Sequence, residues 1–229
     1  MLSPAEYEIL ILSLQVAVTA LVAMALPGIA MGWLLARCSF PGKALVDAVV
    51  HLPLVLPPVV TGWLLLVACG RNGPIGAALH DWFGIRLVFD WKGAVLAAAV
   101  MAFPLLVRSV RLAIELADRD LERAAATCGA APFRVFCTVT LPLAMPGILA
   151  GLVLSFARCL GEFGATITIA GSIPGESRTL PVAIWQYTQV PDGDASVWRL
   201  VLLSMVVSVA ALVVSEWMSR RLGARLGAA

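Results

Sequence analysis

Ionisable residues spaced for chemistry are scarce in this sequence of 229 residues. Arg158 and Glu162 stand four residues apart in an otherwise apolar region, so on a helix they share one face and can form an ion pair. An unpaired charge inside a membrane is costly, and pairing lowers that cost. Two interpretations stay open: a salt bridge that fastens two helices, and a polar group that lines a transport pathway.

Most enzyme chemistries lack their residues here. The two histidines, His51 and His80, lie far apart, and Ser155 has no histidine in its own apolar stretch to act as a base. No Gly-x-x-x-x-Gly-Lys-Ser/Thr phosphate loop occurs. The cysteines occur singly and are predicted to be small buried residues, not metal ligands: Cys38, Cys69, Cys128, Cys137 and Cys159. We therefore predict no catalytic site, no metal and no cofactor.

The composition excludes a water-soluble fold of this size. Hydrophobic residues make up 61% of the chain and charged residues 13%, with a mean hydropathy of +0.95, whereas ordinary soluble domains carry about 25% charged residues. The apolar side chains must therefore face lipid. The net charge of +2 and the absence of basic or acidic runs give no sign of a nucleic acid partner.

Five stretches without a charged residue predict five transmembrane helices. A helix needs about 20 apolar residues to cross a bilayer core. The first, second and fourth stretches are long enough. Arg108 and Arg111 can extend the third by reaching back to the headgroups, and the fifth is extended by Val197 and Trp198 before it and by Trp217 and Met218 after it. The stretches are Ile9–Ala36, Ala48–Gly70, Gly93–Val107, Val135–Ala157 and Leu200–Ser215.

The basic residues between these stretches predict the orientation of a single all-α membrane domain covering residues 1–229. Ten of the 16 lysines and arginines fall on the side of the C-terminus and five on the other, with Arg158 inside a span. Because basic residues accumulate on the cytoplasmic side, we expect the N-terminus outside and the C-terminus in the cytoplasm. Residues 163–175 are predicted to form the outer end of the fourth helix followed by a re-entrant or loop segment.

Two further features distinguish the spans from an inert anchor. Pro57 and Pro58 remove backbone donors, so they either kink or interrupt the second helix, or shape its first turn. Gly161, Gly164 and Gly171, with Thr166 and Thr168, make the outer part of the fourth span small and polar, which favours close helix packing. The candidate pathway or gate residues are Pro57, Pro58, Thr61, Arg158, Glu162 and Thr166.

The segment 118–142 between the third and fourth spans has a helical pattern. Leu121, Ala124, Ala125 and Cys128 follow the spacing of one helix face, and Gly129 is a natural C-terminal stop. Pro132 can then open a second short helix carrying Phe133 and Phe136. Such a helical elbow can insert into a groove of a partner protein. The alternative is a connecting loop that rests against its own bundle.

The same segment resembles a known motif. Glu122-Arg-Ala-Ala125, then Gly129, then Leu141-Pro142 is similar to the cytoplasmic EAA loop of binding-protein-dependent ABC importers, although Arg123 separates the glutamate from the alanines and Cys128 replaces a usual aliphatic residue. Other segments resemble the membrane subunits of the molybdate, tungstate and sulfate branch, with molybdate favoured because the chain is short. These segments are Cys38–Ala44, His51–Val60, Leu160–Ile167 and Ile173–Glu176.

The resemblance implies a subunit with the type I ABC importer permease fold in the bacterial inner membrane. It implies a homodimer, two cytoplasmic ATPase subunits that hydrolyse ATP, and an extracytoplasmic protein that delivers the oxyanion. Alternating access would be driven through the elbow, and the residues that would couple it to the ATPase are Glu122, Ala124, Ala125, Gly129, Leu141 and Pro142.

An autonomous secondary transporter or channel is the alternative from another class. It predicts internal inverted repeats and several intramembrane acidic groups or histidines. The sequence has no evident repeat, and Glu162 is the one acidic residue well inside a span. The hypothesis of an intramembrane enzyme has even less support, because Ser155 has no base beside it.

Overall fold

The computed structural model describes residues 3–191 and 193–226, with side chains described up to residue 214. All regular structure in these residues is helical, and it is α-helical everywhere except in a π-helical turn at Phe136–Thr140. The α-helices are α1 (Pro4–Arg37), α2 (Lys43–Val55), α3 (Pro58–Cys69), α4 (Pro74–Phe83), α5 (Trp91–Glu115), α6 (Arg119–Thr127), α7 (Pro132–Val135), α8 (Leu141–Leu160), α9 (Gly164–Ile169), α10 (Leu180–Tyr187) and α11 (Asp194–Leu226).

Helix α5 forms the centre of the bundle, with α1 packed on one side of it. Two glycines of α1, four residues apart, permit this close approach. A Cβ on Gly28 would lie 2.6 Å from Leu106 Cδ2, and a Cβ on Gly32 would lie 2.7 Å from Val110 Cγ1. Because lipid gives no hydrophobic drive for helices to associate, contact between small residues is the main source of packing energy.

Helix α8 packs against α5 in the same way. A Cβ on Gly147 would lie 2.5 Å from Ala113 Cβ, and one on Gly151 would lie 2.6 Å from Ser109 Cβ. The central helix is therefore held between two faces of the small-xxx-small type. Helices α1, α5 and α8 form the central frame of the bundle, to which the other elements are attached.

Among the described residues, four helices are long and apolar enough to cross a membrane: α1, α5, the continuous helix Pro132–Leu160, and α11 over Asp194–Val214. Helices α2 and α3 pass the same test only as a pair, and they are bent by 113° relative to each other. The predicted count of five spans requires that this bent pair acts as one span.

The bend lies at Pro57 and Pro58, the two prolines that were predicted to kink or interrupt the second helix or to shape its first turn. Helix α2 ends at Val55, Leu56 and Pro57 have extended backbones, and Pro58 is the first residue of α3. Both interpretations of these prolines therefore hold at once. They interrupt the second helix, and Pro58 occupies a first turn, where its missing N–H costs nothing.

The predicted outer end of the fourth helix is wrong, because α8 ends at Leu160 and residues 163–175 form the separate helix α9 followed by a loop. Pro132 is the first residue of a short helix, as predicted, but this helix is not separate, since α7 continues through the π-turn into α8. In that turn the N–H of Leu141 donates to the carbonyl of Phe136, five residues back, and Pro142 has no N–H to donate. The proline therefore falls where the hydrogen-bond register changes, and the helix tolerates it.

The cysteines were predicted to be buried, which is correct for Cys69 and Cys159 and wrong for Cys128 and Cys137, which are exposed. Both exposed cysteines lie in the segment between the third and fourth spans. Trp217 and Met218, which are predicted to extend the fifth span, lie outside the residues whose side chains are described, and so do the tail arginines Arg220, Arg221 and Arg225.

Candidate functional site

The predicted helical elbow is present between α5 and α8. Helix α6 begins after Asp118, whose carboxylate accepts a hydrogen bond from the N–H of Asp120 at 2.8 Å and so caps the helix. The chain then turns at Gly129, whose φ of +86° is in the left-handed region. A glycine reaches this conformation without the steric cost that a Cβ imposes, so the predicted stop at Gly129 is confirmed.

The small-residue face of α6 points away from the rest of the chain. Leu121 is 50% exposed, and Ala124 and Cys128 are exposed beside it, while Ala125 is half-buried. The stripe therefore does not rest on its own bundle, as the loop interpretation required. It offers a short apolar surface.

Glu122 points the other way, into the bundle. Its Oε1 lies 2.7 Å from Arg37 Nη2, and it accepts a hydrogen bond of 2.7 Å from Thr140 Oγ1. The same Arg37 nitrogen also donates to the carbonyl of Ala117 at 3.3 Å. These three side chains, Arg37, Glu122 and Thr140, are called the clasp below. The clasp joins α6 to the end of α1 and to the π-turn.

Sequence reasoning missed two members of the clasp. From the sequence, Arg37 was only one of the basic residues that predict the orientation, and Thr140 had no assigned role. Their partner, Glu122, lies 85 residues beyond Arg37 in the sequence, so no local spacing could pair them. Arg37 is 11% exposed, and its Nε and Nη1 have no hydrogen-bond partner among the described residues. Loss of Glu122 would therefore leave a largely buried cation poorly compensated.

The other two residues of the resemblance, Leu141 and Pro142, lie at the start of α8 and are half-buried. They are not on the elbow itself but directly follow the π-turn. The ring of Phe136 in that turn packs edge to face on Trp33 of α1, with ring centroids 5.9 Å apart. The π-turn thus contacts α1 both through the clasp and through this aromatic pair.

The candidate gate residues gather around the contact of α3 with α9. A Cβ on Gly62 would lie 2.7 Å from the Cα of Ala165, and one on Gly164 would lie 2.7 Å from Pro58 Cβ. The prediction of close packing by small residues is confirmed here. Thr61 and Thr166 are both buried in this region.

The predicted ion pair is also formed. Arg158 Nη1 lies 2.7 Å from Glu162 Oε2, and the Glu162 side chain is 2% exposed. The other oxygen, Oε1, accepts a hydrogen bond of 2.9 Å from the N–H of Ala165 in α9. The carboxylate therefore ties the end of α8 to the start of α9. This geometry supports the fastening interpretation of the pair.

The structure does not bring the two groups of candidate residues together. Thr140, and with it the clasp, adjoins the first residue of α8, whereas Arg158 lies in its last turn and Glu162 just beyond its end. A helix of 20 residues is about 30 Å long. The elbow and the gate region therefore sit at opposite ends of α8. Among the described residues, no group of three or more His, Cys, Asp or Glu side chains could hold a metal ion.

A family model described as "Binding-protein-dependent transport system inner membrane component" matches residues 28–224. The chain belongs to this family, and it is a membrane subunit of a transporter. It is 56% identical to the molybdenum transport system permease protein ModB of Escherichia coli, over 96% of both chains. It is 53% identical to ModB of Haemophilus influenzae over 97% of both chains. A sulfate transport system permease protein of Synechocystis, CysW, is 36% identical over 86% of this chain and 70% of its own.

Solved structures show the same fold. A subunit of a bacterial ABC transporter that imports the polysaccharide alginate superposes with a TM-score of 0.76 at 17% identity, covering 96% of this chain and 80% of its own. The same transporter in complex with its alginate-bound periplasmic protein matches equally well. A subunit of the MetNI methionine ABC transporter gives a TM-score of 0.70 over 95% of this chain and 94% of its own. The predicted fold, that of an ABC importer permease, is confirmed.

Proposed function

We propose that this chain is the permease subunit of an ABC importer whose cargo is molybdate. The observation that carries the proposal is the 56% identity to the molybdenum permease over 96% of both chains. The lower identity of 36% to the sulfate permease favours molybdate over sulfate within the same branch. Two of the four segments that first suggested the oxyanion branch, His51–Val60 and Leu160–Ile167, contain the proline break and Glu162, which are the regions of the candidate gate.

The proposed assembly contains two copies of the chain, two cytoplasmic ATPase subunits and an extracytoplasmic binding protein. The chain has no phosphate loop of its own, so ATP hydrolysis belongs to a partner. The exposed face of α6, with Leu121 50% exposed, supplies a surface for that partner. A short amphipathic helix of this kind can dock into a groove of a partner by its apolar face.

In the proposed mechanism, closure of the ATPase dimer displaces the elbow, and the clasp transmits the displacement. Arg37 passes it to α1, and Thr140 passes it through the π-turn to α8. Because α5 is packed against both of these helices through glycines, the frame moves as a rigid body and does not deform locally. The outer ends then open to the binding protein. Selectivity rests mainly on that protein, since a strongly held dianion would not leave.

Co-purification and ATPase assays test the proposal directly. A tagged chain purified in mild detergent from the cells that make it is expected to retain an ATP-binding subunit. In proteoliposomes with the binding protein present, molybdate is expected to stimulate ATP hydrolysis more than sulfate does at equal concentration. Retention of no ATPase subunit, or uptake driven by an ion gradient without ATP, would instead favour a secondary transporter.

A further inference from the structure

A cavity of about 840 Å³ lies at the end of the molecule opposite the elbow. It is lined by the end of α3, by α4, by the turn that leads into α5 and by Glu176. The elbow follows the other end of α5, a helix of 25 residues, which is about 37 Å long. The cavity is therefore separate from the clasp and from the exposed face of α6.

Two arginines give the cavity its charge. Arg71 follows α3 and Arg86 follows α4, and neither makes a salt bridge within the described residues. Two carboxylates also line the wall. That of Asp90 is already engaged, because it accepts hydrogen bonds from the N–H of Lys92 at 3.1 Å and from its Nζ at 3.4 Å. The carboxylate of Glu176 makes no salt bridge in this part of the structure.

The backbone and an imidazole add further donors. Helix α4 has ten residues and begins after Gly73, with no side chain capping its first N–H groups. Those groups and the helix dipole favour negative charge at this end, where Gly73 and Gly76 line the cavity. His80 lines the same wall, and its Nδ1 is buried without a hydrogen-bond partner among the described residues. A guest with acceptor oxygens would supply one.

We propose that this cavity is a transient receiving site for a tetrahedral oxyanion on its way into the membrane subunit. The inference rests on the proposed function and adds a binding site to it. A water molecule occupies roughly 30 Å³ in the liquid, so the cavity has room for an oxyanion with part of its hydration shell. Arg71 and Arg86 attract the anion, and Glu176 opposes it. A site balanced in this way binds weakly enough to release its cargo.

Equilibrium dialysis of the full chain in lipid nanodiscs, with molybdate as the probe, tests the site. Saturable binding is expected, with sulfate competing and chloride at the same ionic strength not competing. Replacing both arginines (Arg71→Gln with Arg86→Gln) is expected to weaken molybdate binding tenfold or more. Replacing the opposing carboxylate (Glu176→Gln) is expected to strengthen it severalfold. The matched control, Arg108→Gln, removes an exposed arginine near the other end of α5 and should change nothing.

Binding that is absent, or that the double arginine variant leaves unchanged, would overturn the inference. So would a double variant that binds molybdate normally but no longer binds the extracytoplasmic protein, because the arginines would then form a protein docking surface. An unchanged melting temperature shows that each variant is folded. The dialysis needs neither the ATPase nor the binding protein. A failure here alongside intact ATPase co-purification therefore rejects the cavity site and leaves the proposed function standing.

Discussion

One carboxylate oxygen of Glu122 receives two hydrogen bonds of 2.7 Å, from Arg37 and from Thr140. Hydrogen bonds to ionised groups are roughly twice as strong as those between neutral groups. Glu122 therefore holds the elbow from the inside, while Leu121 and Ala124 remain exposed on the outside. Neighbouring residues of one short helix thus anchor it to the bundle and leave exposed the face that we propose docks on the ATPase subunit.

Charge reversal tests whether the clasp transmits force. We expect Arg37→Glu and Glu122→Arg each to reduce molybdate uptake about tenfold or more, since breaking a buried ion pair costs about 3–5 kcal/mol. The double variant, Arg37→Glu with Glu122→Arg, restores the attraction with its polarity exchanged. It should recover much of the uptake, measured in proteoliposomes together with ATP hydrolysis.

Thr140→Val is the graded control, because it keeps the shape of the side chain and removes one hydrogen bond to a charged group, worth about 1.5–3 kcal/mol. Its loss of coupling should be smaller than that of either charge reversal. A double variant no better than the single ones, with all variants present in the membrane at equal amounts, would show that the pair does not act as a unit.

Gly129 gives a second test at the scale of one residue. A Cβ at this position would meet no atom within 4 Å, so a side chain has room, but the φ of +86° strains any residue other than glycine. Gly129→Val should therefore distort the turn and uncouple uptake from ATP hydrolysis, at a cost of about 1–2 kcal/mol or more. Gly129→Asn is the matched control, because asparagine tolerates the left-handed region. Equal uptake in the two variants would contradict a role for the turn geometry.

At the scale of elements, local patterns predicted what local chemistry determines. The alternation of small and charged residues predicted α6, Gly129 predicted its end, and Pro57 with Pro58 predicted the break between α2 and α3. The spacing of Arg158 and Glu162 predicted their ion pair. Each of these features depends on residues within about one or two helical turns of one another.

What the sequence could not predict depends on contacts between distant residues or on backbone register. The partners Arg37 and Glu122 are 85 positions apart. The π-turn at Phe136–Thr140 has no composition that sets it apart from the α-helix around it. Helix α8 ends at Leu160 because Glu162 does not continue it and instead accepts a hydrogen bond from an N–H of α9. This arrangement depends on the packing of α9 against α3, which the local sequence does not reveal.

The packing of α8 on α5 makes a prediction for the frame. Gly151→Ala would place a Cβ 2.6 Å from Ser109 Cβ, and overpacking of this kind costs about 1–3 kcal/mol. The melting temperature of the purified chain in detergent should fall by roughly 2–4 °C for each kcal/mol. Gly161→Ala is the matched control, since its nearest neighbour would be 3.7 Å away. Equal melting temperatures for the two variants would show that the helices separate without cost.

At the scale of the whole molecule, two surfaces of different character lie at opposite ends of α5. One end carries the cavity with Arg71 and Arg86, and the other carries the elbow with its exposed apolar face. The positive-inside rule predicts that the elbow lies in the cytoplasm, on the side with ten of the basic residues. With the elbow on that side, an ATPase could reach it, and the cavity would face the compartment from which the oxyanion comes.

Cysteine labelling tests this orientation. In one variant Cys128 is the single cysteine retained, and in the other the native cysteines are replaced and Asn72→Cys is introduced beside the cavity. A membrane-impermeant maleimide should label the second variant in right-side-out vesicles and the first only in inverted ones, because Cys128 is exposed on the elbow. Added ATPase subunit should then protect Cys128 from the reagent, since the proposed docking face includes it. Labelling of Cys128 from the outside would show that the chain has the opposite orientation. It would also contradict the proposal that the elbow binds the ATPase subunit.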